Sequence, residues 1–389
     1  MALKNVNAMT HFSDWTIGHV HNAALGWNGF LTFGVLYWIV PKIYNTNLYS
    51  RKLANIHFWI GTLGIVFYVI AMYFSGVTQS LMWKEMTAEG TLKYPNFMST
   101  VLQIIPMYYL RAIGGSMFLS GALIMAFNLF KTAQQGNLTR EEESSAPELT
   151  EDHNESKGHK WLEGRAIPFF LFTAIAVVIG GIVELAPSVL GEMIKPTKAL
   201  VKPYSALELE GRDIYVREGC SNCHSQMIRP FVNEVKRYGE PSEAGDYVYE
   251  HPFLWGSKRT GPDLQRIGGK YNNAWHYNHL RNPVDTSVDS IMPKYTWLFE
   301  KKLSFELTER KMKTFKLLGV PYTEEEILNC KTSAKMQADA IIADLKKSAT
   351  ENNQYSAAWD DEIIAVIAYL QAIGKRVETI DDTKVEVRP

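Results

Sequence analysis

Four long apolar stretches limit what this 389-residue chain can fold into more than any other feature of its sequence. A helix that crosses a bilayer needs about 20 mainly apolar residues, and each stretch reaches that length. Glycine, asparagine and serine interrupt the first and third, as membrane helices allow where neighbouring helices pack against them. Aromatic flanking residues argue against the alternative, four buried helices of a soluble protein. The predicted spans are approximately Trp15–Val40, Phe58–Gly76, Ile104–Phe130 and Ile167–Leu190.

The basic residues predict which side of the membrane each loop occupies, because cytoplasmic loops are enriched in Lys and Arg. The turn after the first span holds Lys42, Arg51 and Lys52 and no acidic residue. The loop Leu81–Gln103, by contrast, holds two lysines beside two glutamates. The first turn and the linker after the third span are therefore predicted to be cytoplasmic. Four spans then put the N-terminus and everything after Leu190 on the outer side.

Polarity changes along the chain and divides it into modules, while the formal net charge of −1 gives no support for a nucleic-acid partner. We predict a mainly α fold: a multi-span transmembrane helical segment, a single-span anchor and an exported domain. In that domain, Glu362–Gly374 is predicted to be an amphipathic closing helix with one apolar face. The predicted modules are the multi-span segment 1–131, a charged cytoplasmic linker 132–165, the anchor 166–190, the exported domain 191–380 and a tail 381–389.

The motif Cys220-Ser221-Asn222-Cys223-His224 fits the C-x-x-C-H pattern of covalent c-type haem attachment. Both thiols bond to one haem and the adjacent imidazole ligates its iron, and positions i, i+3 and i+4 of a helix share a face. The alternatives are a redox-active pair and half of a zinc site. The chain has only three cysteines, so no second pair can complete a zinc centre. The third, Cys330, is predicted to be an inert, partly buried thiol. We predict one haem c, attached through Cys220 and Cys223, with His224 ligating its iron.

The ligand on the opposite face of the iron must come from later in the chain. Met292 lies in a loop-like stretch after Asn282-Pro283, and its thioether would raise the haem potential. Met312 and Met336 lie in helical, charged surroundings and are predicted to be packing residues. The sequence favours Met292. Three histidines are rivals that would give a bis-histidine haem of lower potential: His251, His276 and His279.

Two histidines, His19 and His21, lie in the first predicted span, where an ionisable residue is by default a functional candidate. Residues two apart on a helix point about 200° apart. The pair can therefore ligate two centres on opposite sides of the helix, but not one shared metal. The alternative is a pair of interfacial histidines that are hydrogen-bonded near the lipid headgroups. His57, at the start of the second span, is predicted to be structural.

These residues belong to longer runs that carry a family resemblance over nearly the whole chain. The run His11–His21, followed by Leu25-Gly26-Trp27, resembles the tenth helix of the catalytic subunit of cbb3-type cytochrome c oxidases. The chain through Lys131 resembles the last three helices of that subunit. From Arg165 onward it resembles the membrane-anchored monohaem subunit of the same enzyme, with a class I-like cytochrome c domain. The runs that carry this second resemblance are Leu207–Arg212, Glu218–Pro230, His251–Asp263 and Ser290–Pro293.

The resemblance implies roles for the histidines of the first span. His19 would be the proximal ligand of the high-spin haem b where oxygen is reduced, and His21 one ligand of the neighbouring low-spin haem b. His11 would lie near the propionates of the high-spin haem. Electrons would pass from haem c to low-spin haem b and then to the high-spin haem b–copper site, which reduces oxygen to water with proton pumping.

Three residues are candidates for the surroundings of haem c. Arg229 and Arg259 offer planar guanidinium groups that suit carboxylates such as haem propionates. Solvated surface charge is the alternative for both. Trp255 is predicted either to pack against the haem ring or to lie on the path towards the membrane haems.

The resemblance covers only the last part of the catalytic subunit. The spans that carry the copper-ligating histidines and the second ligand of low-spin haem b lie outside it. Two haems b would thus be shared with missing helices, and copper finds no ligand in this chain. We interpret the chain as a C-terminal part of a larger fused protein that alone would not reduce oxygen.

The resemblance also implies partners and a location. The partners would be the remaining helices of the catalytic subunit, a further multihaem cytochrome c subunit, and a soluble or membrane c-type cytochrome donor. The location would be the lipid bilayer of the bacterial inner membrane, with four spans and the cytochrome domain on the periplasmic side. The main alternative is a stand-alone membrane-anchored c-type cytochrome that shuttles electrons without catalysis. Nitric-oxide reduction by a related membrane haem enzyme is a third hypothesis.

Overall fold

The computed structural model describes residues 3–138, 158–194, 199–350 and 354–377, without the side chains of 187–188 and 191–194. The predicted tail 381–389 and much of the predicted linker lie outside these ranges. Within them the chain forms helices and irregular segments, with isolated β-bridges but no strand, so the prediction of a mainly α fold is confirmed. Two compact units are present: residues 1–138 with 199–389, and residues 139–198.

The described ranges contain fifteen α-helices. They are α1 Lys4–Thr10, α2 Asp14–His21, α3 Phe30–Ile43, α4 Arg51–Lys84, α5 Phe97–Gln135, α6 His159–Glu163, α7 Ala166–Ile194, α8 Ala206–Arg217, α9 Cys220–Cys223, α10 Val232–Tyr238, α11 Asn273–Arg281, α12 Thr308–Leu317, α13 Glu324–Leu328, α14 Cys330–Lys347 and α15 Glu362–Ala372. A π-helical segment, Asn22–Gly29, joins α2 to α3, and 3₁₀ turns cover Ala244–Asp246, Pro283–Asp285 and Thr296–Phe299.

All four predicted spans are present as helices long and apolar enough to cross a membrane. Two of them, α4 and α5, are longer than the apolar stretches that predicted them. Polar capping residues stabilise additional turns at their N-terminal ends, which hydropathy alone does not indicate. The Ser50 hydroxyl accepts from the Leu53 backbone N–H at the start of α4. The Asn96 side chain does the same for Met98 at the start of α5. The four spans run over Asp14–Ile43, Arg51–Lys84, Phe97–Gln135 and Ala166–Ala186.

Glycines let the other two membrane spans of the first unit pack closely against α4. A Cβ atom on Gly64 would lie 2.7 Å from the carbonyl oxygen of Gly114, and one on Gly114 would lie 2.6 Å from that of Gly64. A Cβ atom on Gly76 would lie 2.2 Å from the backbone nitrogen of Trp15. Small residues at such contacts are typical of membrane helix interfaces, where backbone approach replaces the hydrophobic effect. The start of α2 and the middle of α5 are thereby held against α4.

The second unit consists of α6 and α7 within its described residues. Arg165 lies over the ring of Trp161 at 4.6 Å, at the junction of the two helices. The apolar side chains of α7 are exposed over the predicted span, as expected of a helix that faces lipid.

The core of the C-terminal part forms around α15. Its residues from Ile363 to Leu370 are buried on all sides, because α8, α11 and α14 all pack against this helix. The prediction of one apolar face is therefore wrong. The closest approach is to α8, where a Cβ atom on Gly211 would lie 1.9 Å from the carbonyl oxygen of Ala365.

Three residues that were predicted to pack in this domain have different environments. Met312 is 2 % exposed, so the prediction of a packing methionine is confirmed, whereas Cys330, predicted to be partly buried, is 6 % exposed and thus fully buried. Met336 is 68 % exposed, so its assignment as a packing residue is wrong. The buried stripe of α14 passes through Ala334 and Ala338, and a residue two positions from each points to the opposite face.

Candidate haem-attachment site

The motif begins at a left-handed glycine and forms one helical turn. Gly219 has φ 73°, and α9 then carries both attachment cysteines. The helix ends at Cys223, so His224 lies in extended backbone directly after it rather than on the same helix. Both thiols are free, with Cys223 exposed and Cys220 partly buried. Burial and the neighbouring Glu218 raise the pKa of Cys220 to about 12.

The ring of His224 is held in one orientation by the loop Thr260–Pro262. Its Nδ1 lies 2.8 Å from the carbonyl oxygen of Pro262, so Nδ1–H donates and the lone pair of Nε2 remains for a metal. The ring lies flat against Gly261, where a Cβ atom would come within 2.2 Å of Cε1. The backbone N–H groups of Thr260 and Gly261 donate to the carbonyl of Cys223 at 2.9 and 3.0 Å. Burial lowers the pKa of His224, which favours the neutral form that ligates metals.

These donors fit a c-type haem. Two thiols stand three residues apart on one turn, and an imidazole with a free Nε2 follows them. Tyr295 lies close enough that both thiols, together with burial, raise its pKa to about 12. Within the described ranges, no cluster of three or more His, Cys, Asp or Glu side chains is arranged to hold a metal ion.

Met292 lies in the irregular segment between the turns Pro283–Asp285 and Thr296–Phe299. Its side chain is partly buried and packs against the hydrophobic core of the domain. The segment is fixed by the Tyr295 backbone N–H, which donates to the carbonyl of Leu280 at 2.9 Å. Since Tyr295 is also the neighbour of both thiols, this segment approaches the motif. The role of Met292 as an iron ligand stays a prediction.

Of the rival histidines, His279 on α11 is under the electrostatic influence of His224. Burial and the charge of His224 lower the pKa of His279 to about 4. Its ring stacks on Trp275 at 4.5 Å, and its Nδ1 lies 2.5 Å from the Thr286 hydroxyl. In the described part of the chain, the other two rivals keep a buried Nε2 without a hydrogen-bond partner: His251 and His276.

Phe12 connects the N-terminal segment to the C-terminal part. Its ring is 0 % exposed, and its backbone has φ 68°, a left-handed conformation that costs a non-glycine residue energy. Arg259 and Arg229 lie 4.3 and 5.2 Å from the ring centroid. The Arg259 backbone N–H donates to the Phe12 carbonyl at 2.8 Å, and Arg229 Nη1 donates to the Ala8 carbonyl at 3.2 Å. We refer to these four residues as the Phe12 junction.

Both arginines that were predicted to pair with haem propionates are already paired with protein groups. Arg259 is 1 % exposed and donates to Ser225 Oγ at 2.7 Å and to Glu234 at 3.1 Å. Arg229 approaches the other oxygen of Glu234 at 2.5 Å. Burial alone would raise the pKa of Glu234, but the two guanidinium groups lower it overall. Arg259 is therefore a buried structural cation and not a solvated surface charge.

Trp255 belongs to an aromatic cluster beside the motif. It stacks on Phe253 at 4.6 Å and meets Tyr247 edge-on at 5.7 Å. Its carbonyl accepts from the Gln226 backbone N–H at 3.1 Å, which ties the cluster to the residues just after His224.

His19 lies on an exposed face of α2. Its ring is exposed and stacks on Trp15 at 5.3 Å, and Trp15 in turn stacks on Tyr73 of α4 at 5.0 Å.

His21 leaves α2 on the other side of the contact with α4. Its ring lies 5.0 Å from that of Tyr68, and its Nδ1 approaches the Ile17 carbonyl at 2.9 Å. Gly18 lies on the contact line itself, where a Cβ atom would come within 2.9 Å of Met72. The two rings therefore flank this line, in agreement with the angle expected from helix geometry. Their roles as haem ligands stay predictions.

His11 and His57 are placed differently from this pair. His11 stacks on the Phe12 ring at 4.1 Å, and burial together with Arg229 and Arg259 lowers its pKa. His57 is 2 % exposed, and its Nδ1 lies 3.2 Å from the Tyr37 hydroxyl, which agrees with a structural role.

Some residues of the site were not predicted, although a local pattern in the sequence marks them. Gly261 and Pro262 form a Gly-Pro pair within the run His251–Asp263, and such a pair marks a tight loop. Phe12 and Glu234 carried no such signal, because their partners lie far away in the chain.

Comparison with protein families matches both parts of the chain. Residues 159–377 match the family described as cytochrome C oxidase, mono-heme subunit/FixO. Residues 1–117 match the family described as cytochrome C and quinol oxidase polypeptide I.

Curated relatives match the N-terminal part. A bacteroid cytochrome c oxidase subunit 1 homolog of Bradyrhizobium diazoefficiens is 54% identical over 137 residues, 35% of this chain and 25% of the relative. Cytochrome c oxidase subunit 1 of Rhodobacter capsulatus is 50% identical over 133 residues, 34% of this chain and 25% of the relative. The cbb3-type cytochrome c oxidase subunit CcoN1 of Stutzerimonas stutzeri is 44% identical over 135 residues, 34% of this chain and 28% of the relative. The chain thus spans about a quarter of the length of these relatives.

The contact between Gly261 and His224 makes a direct prediction. In Gly261→Ala, the added methyl group pushes the imidazole off the Pro262 carbonyl, so the iron loses its oriented ligand. We expect much less covalently bound haem, or a haem with altered ligation, measured by haem staining and by the Soret spectrum. Thr260→Val is the matched control, because the Thr260 hydroxyl is buried without a partner among the described residues. Wild-type haem content and spectrum in Gly261→Ala would refute the assignment.

Proposed function

This chain belongs to the family of mono-heme cytochrome c oxidase subunits called FixO, and on that premise we propose that it is the electron-transfer part of a cbb3-type terminal respiratory oxidase. Its N-terminal part is similar to catalytic subunits of cytochrome c oxidases, one of them named as cbb3-type. Together the two parts contain one electron-transfer domain and the first membrane helix to which it would pass electrons.

The observation that carries the proposal is the orientation of His224. Its Nδ1–H donates to the Pro262 carbonyl, its ring packs against Gly261, and its Nε2 remains unbonded within the described residues. The residue directly follows two cysteines at the spacing of covalent haem attachment. A c-type haem bound there supplies a one-electron iron couple. Cys220 and Cys223 would hold it covalently, and His224 and Met292 would ligate its iron.

The Phe12 junction supports electron transfer towards the membrane part. It ties the loop that seats His224 to the residues directly before α2, and α2 carries His19 and His21. Asp14, the first residue of α2, is fixed in turn to α4, since its backbone N–H donates to Gln79 Oε1 at 2.7 Å. We propose that His19 ligates a high-spin haem b, that His21 ligates a low-spin haem b, and that His11 lies near the propionates of the former.

Contacts at the two ends of the helices support a periplasmic location for the haem c domain. Arg237 donates to the Pro95 carbonyl at 2.9 Å, so the loop between α4 and α5 lies at the same end as this domain. At the other end, Asn128 donates to the Ser50 carbonyl at 2.9 Å beside the basic turn between α3 and α4. Because basic turns stay in the cytoplasm, the haem c domain lies outside.

The full reaction is proposed for a larger assembly. The remaining helices of the catalytic subunit supply the copper ligands and the second ligand of low-spin haem b. A multihaem cytochrome c subunit and a soluble or membrane c-type cytochrome deliver electrons. In that assembly the high-spin haem and copper would supply the chemistry that reduces oxygen to water with proton translocation.

A pyridine haemochrome spectrum tests this function. Purified from a host that matures c-type cytochromes, the chain should contain one covalent haem c, and Cys220→Ala with Cys223→Ala should remove it. Haem b should be absent or minor without the remaining helices, because His19 and His21 then lack their partners. Absence of covalent haem would contradict the electron-transfer function. Stoichiometric haem b in the chain alone would contradict the proposed sharing of haem ligands.

The proposed axial ligand makes a second prediction. Met292→Ala should lower the midpoint potential of haem c by at least about 0.1 V, because axial ligands move haem potentials over roughly 0.8 V. Potentiometric titration followed at the α band measures the change. His279→Gln is the control, since it removes the rival imidazole and should leave the ligation unchanged. If His279→Gln instead lowers or abolishes the native signal while Met292→Ala does not, His279 is the ligand.

A further inference from the structure

A small cavity lies where the end of α4, the helix α10 and the N-terminal segment meet. Trp83 and Lys84 line it from α4, and Arg237 and Tyr238 line it from α10. Its volume of about 10 Å³ leaves room for one water-sized particle. The cavity is separate from the residues that hold the haem.

Three hydrogen-bonding groups at this cavity are buried and lack a partner among the described residues. They are Trp83 Nε1, Arg237 Nη2 and the Tyr238 hydroxyl. Trp83 is 6 % exposed, and its indole nitrogen can only donate. Because buried polar groups nearly always find partners, three such groups around one small space indicate a bound acceptor.

The charges around the cavity favour an acceptor that is negative. Four cations line it, and Glu234 is the single carboxylate among its described lining residues. Arg229 and Arg259 share that carboxylate, and Arg259 also lies 3.4 Å from Asp263.

The other two cations have no such compensation. In the described part of the chain, neither Lys84 nor Arg237 forms an ion pair with a carboxylate. Arg237 uses Nη1 for the Pro95 carbonyl, and Lys84 lies 5.9 Å from the ring of Phe231. Two cations are therefore half-buried without a carboxylate of their own, which is costly unless an anion accompanies them.

We propose that this cavity binds one small monovalent anion of the size of chloride. Trp83, Arg237 and Tyr238 donate hydrogen bonds to it, and Lys84 contributes charge. A water molecule would leave the excess positive charge uncompensated, and a space for one water-sized particle favours a monatomic anion over sulfate or phosphate. The anion links α4 to α10 and so helps to fasten the C-terminal domain to the membrane helices. The proposal is independent of the electron-transfer function, because none of these residues holds a haem.

Halide-dependent stability and bromide diffraction test the site on the full haem-loaded chain in detergent. At equal ionic strength, chloride and bromide should raise the thermal unfolding midpoint progressively, whereas gluconate and sulfate should not. Trp83→Phe and Tyr238→Phe each remove one donor and keep a ring, and each should require about tenfold more chloride for the same shift. Crystals grown in bromide should show an anomalous peak in the cavity.

Lys236→Gln is the matched control, because it removes one positive charge from the exposed face of α10 and should keep the full chloride response. Equal midpoints in chloride and gluconate would overturn the proposal. So would an unchanged chloride response in both ring variants, or an ordered water without bromide density. A protein carboxylate that fills the cavity in the assembled oxidase would also overturn it.

Discussion

The buried guanidinium of Arg259 is the interaction on which the arrangement of the first unit depends. Removing a guanidinium from water is costly, and the cost is offset only where carboxylates and other acceptors surround it. Ser225, the Met227 carbonyl and Glu234 provide these acceptors. The face of the guanidinium lies against Phe12. One side chain therefore joins the haem motif, α10 and the N-terminal segment.

The same short stretch of chain performs two tasks. At its beginning, the backbone N–H of Arg259 bonds to Phe12 and so fixes the domain against the membrane part. At its end, Gly261 and Pro262 fix the ring of His224. A shift at the junction is thus transmitted over three residues to the ring of His224, the proposed haem ligand. This coupling explains how a domain joined to the membrane through a separate anchor keeps a defined position relative to α2.

Features that arise from local sequence were predictable, and those that arise from distant pairing were not. The four spans follow from apolar length, and the candidate haem site follows from the spacing of Cys220, Cys223 and His224, although its haem stays a prediction. The Phe12 junction joins residues more than 200 positions apart, and a phenylalanine with positive φ has no sequence signature. The partners of Arg259 could not be predicted for the same reason, since the chain contains many carboxylates that could pair with it. The burial of α15 on all sides was readable in principle, because Ala365 and Ala368 occupy positions where a solvent-facing helix carries polar residues.

We propose that the Phe12 junction positions haem c for electron transfer into the membrane part. The most direct test is the rate of haem c oxidation in the assembled oxidase, followed by stopped-flow absorbance after mixing the reduced protein with oxygen. In Phe12→Ala the rate should fall several-fold, because loss of the Phe12 contacts displaces haem c relative to α2, while haem content and haem c potential remain unchanged. An unchanged rate in this variant, with the same haem content and potential, would contradict the account.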